Sequence, residues 1–282
     1  MRLPAPLVST AWLAQHLGEV VVVDASYYLS DAGRDPAAEY AREHIPGAVF
    51  WDLDALSDPD TDLPHMMPAP EWLARVVGEL GISDRDVVVV YDTSGIHYSA
   101  PRVWWMLRAL GHEAVAVLDG GLGKWRSEGR AVESGIVRRQ PAHYEPTPRS
   151  AAFRSLQEVR AVLPGGVQVL DARSRGRFEG TEAEPRPGVR GGHIPGSRNL
   201  PYPNLVGPGG TLKPPEELER LFRDAGIDLK EPVITTCGSG VTACALILGL
   251  EVLGHRDHAV YDGSWSEWGG RTDTPVATSP ES

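Results

Sequence analysis

The chain has 282 residues, of which 41% are hydrophobic, so it is long enough to bury the cores of two domains of ordinary size. Its formal net charge of -11 disfavours binding to nucleic acid and to anionic membranes, and we expect neither as a partner. Two cysteines are too few for a disulfide framework and indicate a reducing compartment, so we predict a cytoplasmic location. The N-terminus lacks an apolar signal-peptide run.

The first half of the chain alternates short β-branched runs with segments of helical periodicity. These patterns predict helices at 10–17, 70–80 and 100–110, and strands near 20–24, 87–91 and 114–118. Short apolar strands that alternate with helices are typical of a parallel sheet that is covered on both faces. The sequence therefore predicts an α/β fold, with a mainly parallel sheet flanked by helices on both faces.

The second half repeats the first half in the same order. The matching pairs of segments are 21–25 with 167–172, the His-Ile-Pro-Gly turns 44–47 with 193–196, 88–95 with 233–240, and 119–125 with 262–268. Chance matches would not stay collinear, so the chain is interpreted as a duplication. We predict an N-terminal copy at 1–135, a linker rich in Arg, Ser, Pro and Gly at 136–152, and a C-terminal copy at 153–282.

Cys237 ends a hydrophobic strand and opens a turn of small residues, Gly238, Ser239 and Gly240. A helix is predicted to follow at 241–253. Backbone N–H groups in such a turn, together with the helix N-terminus, favour an anion at the sulfur, and the thiolate is the nucleophilic form of cysteine. The alternative is an inert cysteine packed at a strand–helix turn.

The duplication separates scaffold from function, because a residue present in both halves is more readily explained by the fold. His44 and His193 are expected to fix turns, and the aspartates shared by both copies are expected to cap loops: Asp24, Asp171, Asp119 and Asp262. Cys237 corresponds to Asp92, so the first copy is predicted to be non-catalytic. Cys244, inside the predicted helix, is assigned to the core.

Together these motifs resemble the tandem-domain sulfurtransferases of the rhodanese superfamily, over nearly the whole length. The resemblance rests on the two His-Ile-Pro-Gly turns, the Asp-Gly-Ser-Trp-Ser-Glu-Trp run at 262–268, the Ser-Ala-Pro-Arg-Val-Trp-Trp helix start at 99–105, and residues 237–243. It implies two tandem rhodanese-like domains. Cys-Gly-Ser-Gly-Val-Thr resembles the 3-mercaptopyruvate branch, whereas the thiosulfate branch typically has Arg-Lys at the positions of Gly238 and Ser239.

The resemblance also implies roles for individual residues. Cys237 would carry sulfur as a persulfide, and the turn residues Gly238, Gly240, Val241 and Thr242 would bind the substrate beside it. Arg177 and Arg186 would hold the carboxylate and keto oxygen of 3-mercaptopyruvate, because a guanidinium offers a bidentate donor fork. Asp54, His65 and Ser239 would form a proton relay, with the active site between the two domains. A thiol, including a thioredoxin-like protein, or cyanide would accept the sulfur.

Three other functions compete with this interpretation. A cysteine-dependent phosphatase requires an arginine six positions after the nucleophile, where Ala243 stands. A non-enzymatic rhodanese-like binding module needs no reactive cysteine, and the intact Cys237 turn argues against it. Thiosulfate sulfurtransferase is the nearest alternative. We expect no cofactor, and no spaced His/Cys cluster indicates a metal site.

Overall fold

The computed structural model describes residues 3–29, 32–163 and 166–278, and it divides into two compact units. The first unit contains Met1–Pro59, Met67–Arg149 and Val206–Leu212. The second contains Asp60–Met66, Ser150–Leu205 and Lys213–Ser282. Each unit therefore holds most of one copy of the repeat and a short segment from the other copy. The domain limits given by the sequence stay predictions.

The first unit is built on a five-stranded sheet with the order β1-β5-β4-β2-β3, in which all neighbouring strands run parallel. Its strands are β1 (Leu7–Val8), β2 (Val21–Asp24), β3 (Val49–Phe50), β4 (Val88–Tyr91) and β5 (Val115–Leu118). Its helices are α1 (Thr10–His16), α2 (Pro36–Arg42), α3 (Pro70–Glu79), α4 (Ala100–Ala109) and α5 (Gly121–Ser127).

The second unit repeats this topology with the order β6-β10-β9-β7-β8, again entirely parallel. Its strands are β6 (Phe153–Arg154), β7 (Gln168–Asp171), β8 (Arg198–Asn199), β9 (Val233–Thr236) and β10 (His258–Tyr261). Its helices are α6 (Leu156–Val162), α7 (Arg175–Glu179), α8 (Pro215–Asp224), α9 (Ala243–Val252) and α10 (Ser264–Gly270).

The central strands are buried on both faces. All four residues of β2, β4, β5 and β9 are buried, and successive strand residues point to opposite faces, so helices must cover both sides of each sheet. On one side of each sheet, aliphatic and aromatic side chains form the core, which includes Trp125 in the first unit and Trp265 and Trp268 in the second. The predicted α/β fold is confirmed.

The predicted long elements agree with the structure to within about two residues. The helix after Cys237 begins at Ala243 rather than at Val241, because Gly240 adopts a left-handed φ of 77° and the chain completes a turn before the helix starts. The two-residue edge strands, such as Leu7–Val8 and Arg198–Asn199, were not predicted, since two residues carry no readable periodicity.

The segment predicted as a linker lacks regular structure over most of its length. Residues 128–149 contain no helix or longer strand, and a single 3-10 turn follows at Ser150–Ala152. The backbone of this segment is nevertheless hydrogen-bonded to the rest of the first unit, where Ala142 N–H donates to the Gly78 carbonyl and Arg149 N–H donates to the Ala109 carbonyl.

No helix among the described residues has the length and apolar character to cross a membrane.

Candidate active site

Cys237 lies at the carboxyl end of the central strand β9, where loops of a parallel sheet form binding crevices. Its residue is 2% exposed, and the loop 237–242 connects it to α9. Val241 and Thr242, which the sequence assigned to substrate binding, are buried in this loop, and Thr242 is the N-cap of α9. Cys244 is fully buried in the first turn of α9, as predicted, and its Sγ donates to the Gly240 carbonyl at 3.3 Å.

The carbonyl groups of the loop are held by neighbouring structure. The Cys237 carbonyl accepts a hydrogen bond from Trp265 N–H at 3.0 Å, and the Gly238 carbonyl accepts from both Ser266 N–H at 2.8 Å and Ser266 Oγ at 2.6 Å. A trans peptide directs its C=O and N–H to opposite sides. The first turn of α10 therefore turns the N–H groups of Gly238 and Ser239 away from itself.

The N–H groups of residues 238–242 have no acceptor among residues 3–29, 32–163 and 166–278. A series of unpaired N–H groups beside a helix N-terminus attracts negative charge. The side chain that directly precedes these N–H groups in the sequence is the thiol of Cys237, which becomes a sulfur anion when it loses its proton. The loop therefore has the chemistry of an anion cradle around a thiol.

Ser264 fixes the start of this loop from α10. Its Oγ accepts from Cys237 N–H at 3.2 Å and donates to the Tyr261 carbonyl at 2.8 Å, and the residue holds a left-handed φ of 47°. Such a conformation is unfavourable for a non-glycine residue and persists only where the surrounding structure imposes it. The 262–268 run was noted in the sequence as a repeat segment and as a family mark, and this positioning role of Ser264 was not predicted.

His65 and Ser239 meet in the second unit, which includes the segment Asp60–Met66. The Nδ1 atom of His65 lies 2.9 Å from Ser239 Oγ, and both residues are buried. His65 also has a left-handed φ of 59°. A buried imidazole hydrogen-bonded to a hydroxyl can move a proton to or from it. The structure thus brings together two of the three residues assigned to the relay.

Asp54, the third residue of that relay, belongs to the first unit. It lies in the turn after β3, where its N–H donates to Oδ1 of Asp52 at 3.1 Å. Its link to His65 stays a prediction, as does the location of the active site between the domains.

Arg177 and Arg186 both approach the cysteine loop. A Cβ atom placed on Gly238 would lie 3.0 Å from Nη2 of Arg177 and 4.0 Å from Nη1 of Arg186. Arg177 lies in the short helix α7, which Ser174 caps by accepting the Arg177 N–H, and which ends at Gly180 with a φ of 76°. Two guanidinium groups beside an anion cradle can bind an anionic ligand.

Sequence analysis missed a buried ion network behind Arg177. Glu184 accepts hydrogen bonds from Arg177 at 2.6 Å and from Arg173 at 2.6 Å, and Arg173 also pairs with Asp171 at 2.6 Å. Asp171 was assigned to loop capping, and it does accept the Arg173 N–H at 2.9 Å. One difference between the copies could have indicated this network: Arg173 stands where the first copy has Ser26.

The equivalent loop of the first unit contains its own anion. Asp92 Oδ1 accepts from Ser94 N–H at 2.9 Å and Ser94 Oγ at 2.5 Å, and Oδ2 accepts from Ser99 N–H at 3.0 Å and Ala100 N–H at 2.9 Å. The Asp92 carbonyl accepts from Leu122 N–H of α5 at 3.3 Å, which parallels the Cys237–Trp265 bond. A carboxylate of the chain thus occupies this loop.

The two histidines shared by both copies are part of the scaffold, as the sequence predicted. Nδ1 of His44 lies 2.8 Å from the Tyr40 carbonyl, and Nδ1 of His193 lies 2.8 Å from the Phe178 carbonyl. Each imidazole also stacks on the aromatic ring of that partner. No group of three or more His, Cys, Asp or Glu residues in the described part of the chain is arranged to hold a metal ion.

Comparison with known proteins matches this architecture to one family. The signature of the Rhodanese-like domain matches twice, at residues 9–128 and 155–271. The chain is 44% identical over 271 residues to 3-mercaptopyruvate sulfurtransferase of Homo sapiens, covering 93% of this chain and 91% of that protein. It is 43% identical over 297 residues to "Thiosulfate/3-mercaptopyruvate sulfurtransferase 1, mitochondrial" of Arabidopsis thaliana, covering 96% of this chain and 78% of that protein.

A solved structure gives the same result for the fold. The crystal structure of the 3-mercaptopyruvate sulfurtransferase SseA from Escherichia coli matches with a TM-score of 0.85 and 38% sequence identity, covering 93% of this chain and 99% of that one. The two sheets, the duplicated loops and the two domain matches lead to one conclusion: the chain belongs to the rhodanese-like family, with two copies of its domain.

Proposed function

We propose that the protein is a sulfurtransferase that moves sulfur from 3-mercaptopyruvate through a persulfide on Cys237 to a thiol or cyanide, and releases pyruvate. One observation carries the proposal: Cys237 opens a loop whose N–H groups at 238–242 have no acceptor in the described chain. The names of the similar human and plant proteins support the same reaction.

In the first step, the Cys237 thiolate attacks the sulfur of 3-mercaptopyruvate. The new S–S bond forms as the C–S bond breaks. The electron pair of the C–S bond passes to the departing enolate of pyruvate. The proton of the substrate thiol is transferred to the enolate carbon, which gives pyruvate and leaves an anionic persulfide on Cys237. The N–H groups of the loop stabilise that anion.

In the second step, a thiolate or cyanide attacks the outer sulfur. The S–S bond breaks, Cys237 departs as a thiolate, and the acceptor leaves as a persulfide or as thiocyanate. A thioredoxin-like protein is the proposed cellular acceptor, and a cytoplasmic location is proposed with it, although the similar plant protein is named as mitochondrial.

Ser239 and His65 are proposed to transfer the proton in the first step. Their 2.9 Å contact suits a hydroxyl that passes a proton to or from an imidazole. Asp54 is proposed to orient His65 in the manner of the acidic member of a serine-type triad. Arg177 and Arg186 are proposed to bind the donor carboxylate, and Gly238, Gly240, Val241 and Thr242 to line the sulfur site.

Thiosulfate is the second candidate donor, because the name of the plant relative includes both substrates. The loop favours 3-mercaptopyruvate, since Gly238 and Ser239 provide no cation for the second charge of thiosulfate. A non-enzymatic binding module is a weaker alternative, because it does not explain why the N–H groups of the loop that follows Cys237 have no acceptor in the described chain.

The proposal is tested by measuring kcat/KM with 3-mercaptopyruvate and with thiosulfate, using cyanide as the common acceptor. We expect 3-mercaptopyruvate to be preferred by about tenfold or more, the ratio expected of one unmatched charge in a partly buried site. A preference for thiosulfate would contradict the donor assignment, and absence of turnover with both donors would contradict the enzyme assignment.

The double variant Gly238→Arg/Ser239→Lys tests whether loop charge selects the donor. The added cations should improve thiosulfate use, and the lost Ser239 hydroxyl should reduce 3-mercaptopyruvate turnover, so the two activities should move in opposite directions. A folded double variant that keeps the original donor ratio would refute this explanation, and melting temperature is the control for loop collapse.

A further inference from the structure

Glu184 joins the two arginines that surround it. Its Oε2 accepts from Arg177 Nη2 at 2.6 Å and from Nε at 3.2 Å, and its Oε1 accepts from Arg173 Nη1 at 2.6 Å. The Glu184 side chain is 4% exposed, whereas that of Arg177 is 19% exposed. The carboxylate therefore lies behind Arg177 and fixes the direction of its guanidinium.

Arg173 anchors this carboxylate to the core of the unit. Its Nη2 donates to Asp171 at 2.6 Å and to the Gly192 carbonyl at 2.8 Å, and its guanidinium lies 4.5 Å from the centroid of the Trp265 ring. Burial lowers the pKa of Arg173, but the carboxylates of Asp171 and Glu184 raise it by more, so the net shift is upward. Glu184 is thus bound to a permanently charged, rigid partner.

The formal charges of this network cancel. The Asp171 and Glu184 carboxylates offset the Arg173 and Arg177 guanidiniums. Arg186 is the remaining cation beside Gly238, and in the part of the chain that the structure describes it forms no ion pair. An anionic donor at the loop therefore meets an excess of one positive charge from these five groups.

We infer that Glu184 is a positioning residue that also determines donor choice. It directs Arg177 at the Cys237 loop, and it limits the excess positive charge there to one, which matches the single negative charge of a monoanion. This inference rests on the proposed function, because it takes Arg177 and Arg186 as the donor-binding cations. The carboxylate of 3-mercaptopyruvate carries one negative charge, whereas thiosulfate carries two. Removing the buried charge of Glu184 leaves Arg177 uncompensated and should favour the dianion.

The test compares Glu184→Gln with the native enzyme, using kcat and KM for both donors and cyanide as the acceptor. The amide has nearly the same shape as the carboxylate but no charge. We expect kcat/KM for thiosulfate, divided by that for 3-mercaptopyruvate, to rise by about tenfold. Glu182→Gln is the matched control: Glu182 is exposed on the same loop, and its loss should leave the ratio within about twofold of the native value.

Glu184→Asp separates direction from charge. It retains the charge but withdraws it from Arg177 and Arg173, so KM should rise for both donors while their ratio stays within about twofold. A purely structural role for Glu184 would lower kcat/KM for both donors alike in both variants. Circular dichroism and melting temperature establish that each variant is folded.

A folded Glu184→Gln enzyme with an unchanged or lower thiosulfate ratio would overturn the inference. If that variant does not fold, Glu184→Asp decides, and an unchanged KM for both donors would overturn it. Arg177→Ala distinguishes a failure of the proposed donor site from a failure of the proposed role of Glu184. If Arg177→Ala leaves both donors unaffected, the proposed donor site is wrong; if it weakens 3-mercaptopyruvate use by about tenfold while Glu184→Gln has no effect, only the present inference is wrong.

Discussion

The Asp92 loop and the Cys237 loop follow equivalent central strands, yet they satisfy their backbone in different ways. In the first unit, the Asp92 carboxylate accepts hydrogen bonds from the loop and from the first residue of α4. In the second unit, no acceptor among the described residues receives the N–H groups of 238–242. Both loops have their first carbonyl held by the helix after the last strand.

This difference indicates that one backbone design serves two purposes. A loop whose N–H groups point inward stabilises an anion, whether that anion is a side chain or a reaction intermediate. The first copy fills the position with a carboxylate and gains stability. The second copy has a thiol there, and the N–H groups at 238–242 find no acceptor in the described chain, which costs stability. Under the proposed function, those N–H groups support a charged sulfur.

Replacing Cys237 should have the largest effect on activity. Cys237→Ser should lower sulfur transfer by at least about 10⁴-fold, because the nucleophile is lost. Cys244→Ser is the matched control and should retain most activity, since Cys244 is buried in α9. Steady-state rates with one donor and one acceptor measure both. Asp92→Cys in the Cys237→Ser background should not restore transfer; recovery of activity there would show that the two loops are interchangeable.

Replacing Asp92 should affect stability rather than chemistry. Asp92→Ala removes the acceptor of the Ser94, Ser99 and Ala100 N–H groups, and should lower the free energy of unfolding by about 2–3 kcal/mol. Urea denaturation measures this change. Cys237→Ala should change the free energy of unfolding by less, because the N–H groups of that loop have no acceptor among the described residues. A larger loss for Cys237→Ala would reverse the comparison.

The aspartates that end β2 and β7 should respond oppositely to neutralisation. Burial raises the pKa of Asp24, whose Oδ1 accepts the Ser26 N–H at 2.9 Å, whereas Asp171 is paired with the Arg173 guanidinium. Because the pKa of Asp24 is raised in the folded state, ionisation of Asp24 lowers the free energy of unfolding. This loss develops as the pH rises from the ordinary pKa of 3.8 through the folded pKa. Asp24→Asn should therefore stabilise at pH 7 and lose this advantage below pH 3.8, while Asp171→Asn should destabilise at pH 7.

Urea midpoints at the two pH values measure this contrast. An Asp24→Asn variant that is less stable than the native protein at pH 7 would mean that the charged form of Asp24 is favoured in the fold, contrary to the direction of its pKa shift.

The sequence alone was sufficient for the duplication and the parallel sheets, because repeated motifs and strand–turn–helix patterns are local. The role of Cys237 stays a prediction. The long elements, such as Val88–Tyr91 and Ala100–Ala109, were predicted within a residue. The Arg173–Glu184–Arg177 network was not predicted from the sequence. Glu184 is separated from its partners in sequence, and its pairing depends on how the chain after α7 folds back.

The roles of Arg177, Arg186, His65 and Asp54 came from family resemblance and not from local pattern. The structure places Arg177 and Arg186 at Gly238, and His65 at Ser239. No sequence period could have indicated that the segment Asp60–Met66 belongs with the second unit. Such placement is a tertiary property, and it is the reason that site residues are harder to derive than strands.

The central claim is that the Cys237 loop holds an anionic sulfur intermediate, whereas the Asp92 loop is filled by its own side chain. The most direct test is mass spectrometry of the intact protein after it has been treated with 3-mercaptopyruvate without an acceptor, followed by mapping of the modified peptide. We expect one additional sulfur atom on the peptide that contains Cys237, removed by cyanide and absent in Cys237→Ser. Additional sulfur on Cys244 alone, or none in an enzyme that still turns over, would contradict the account.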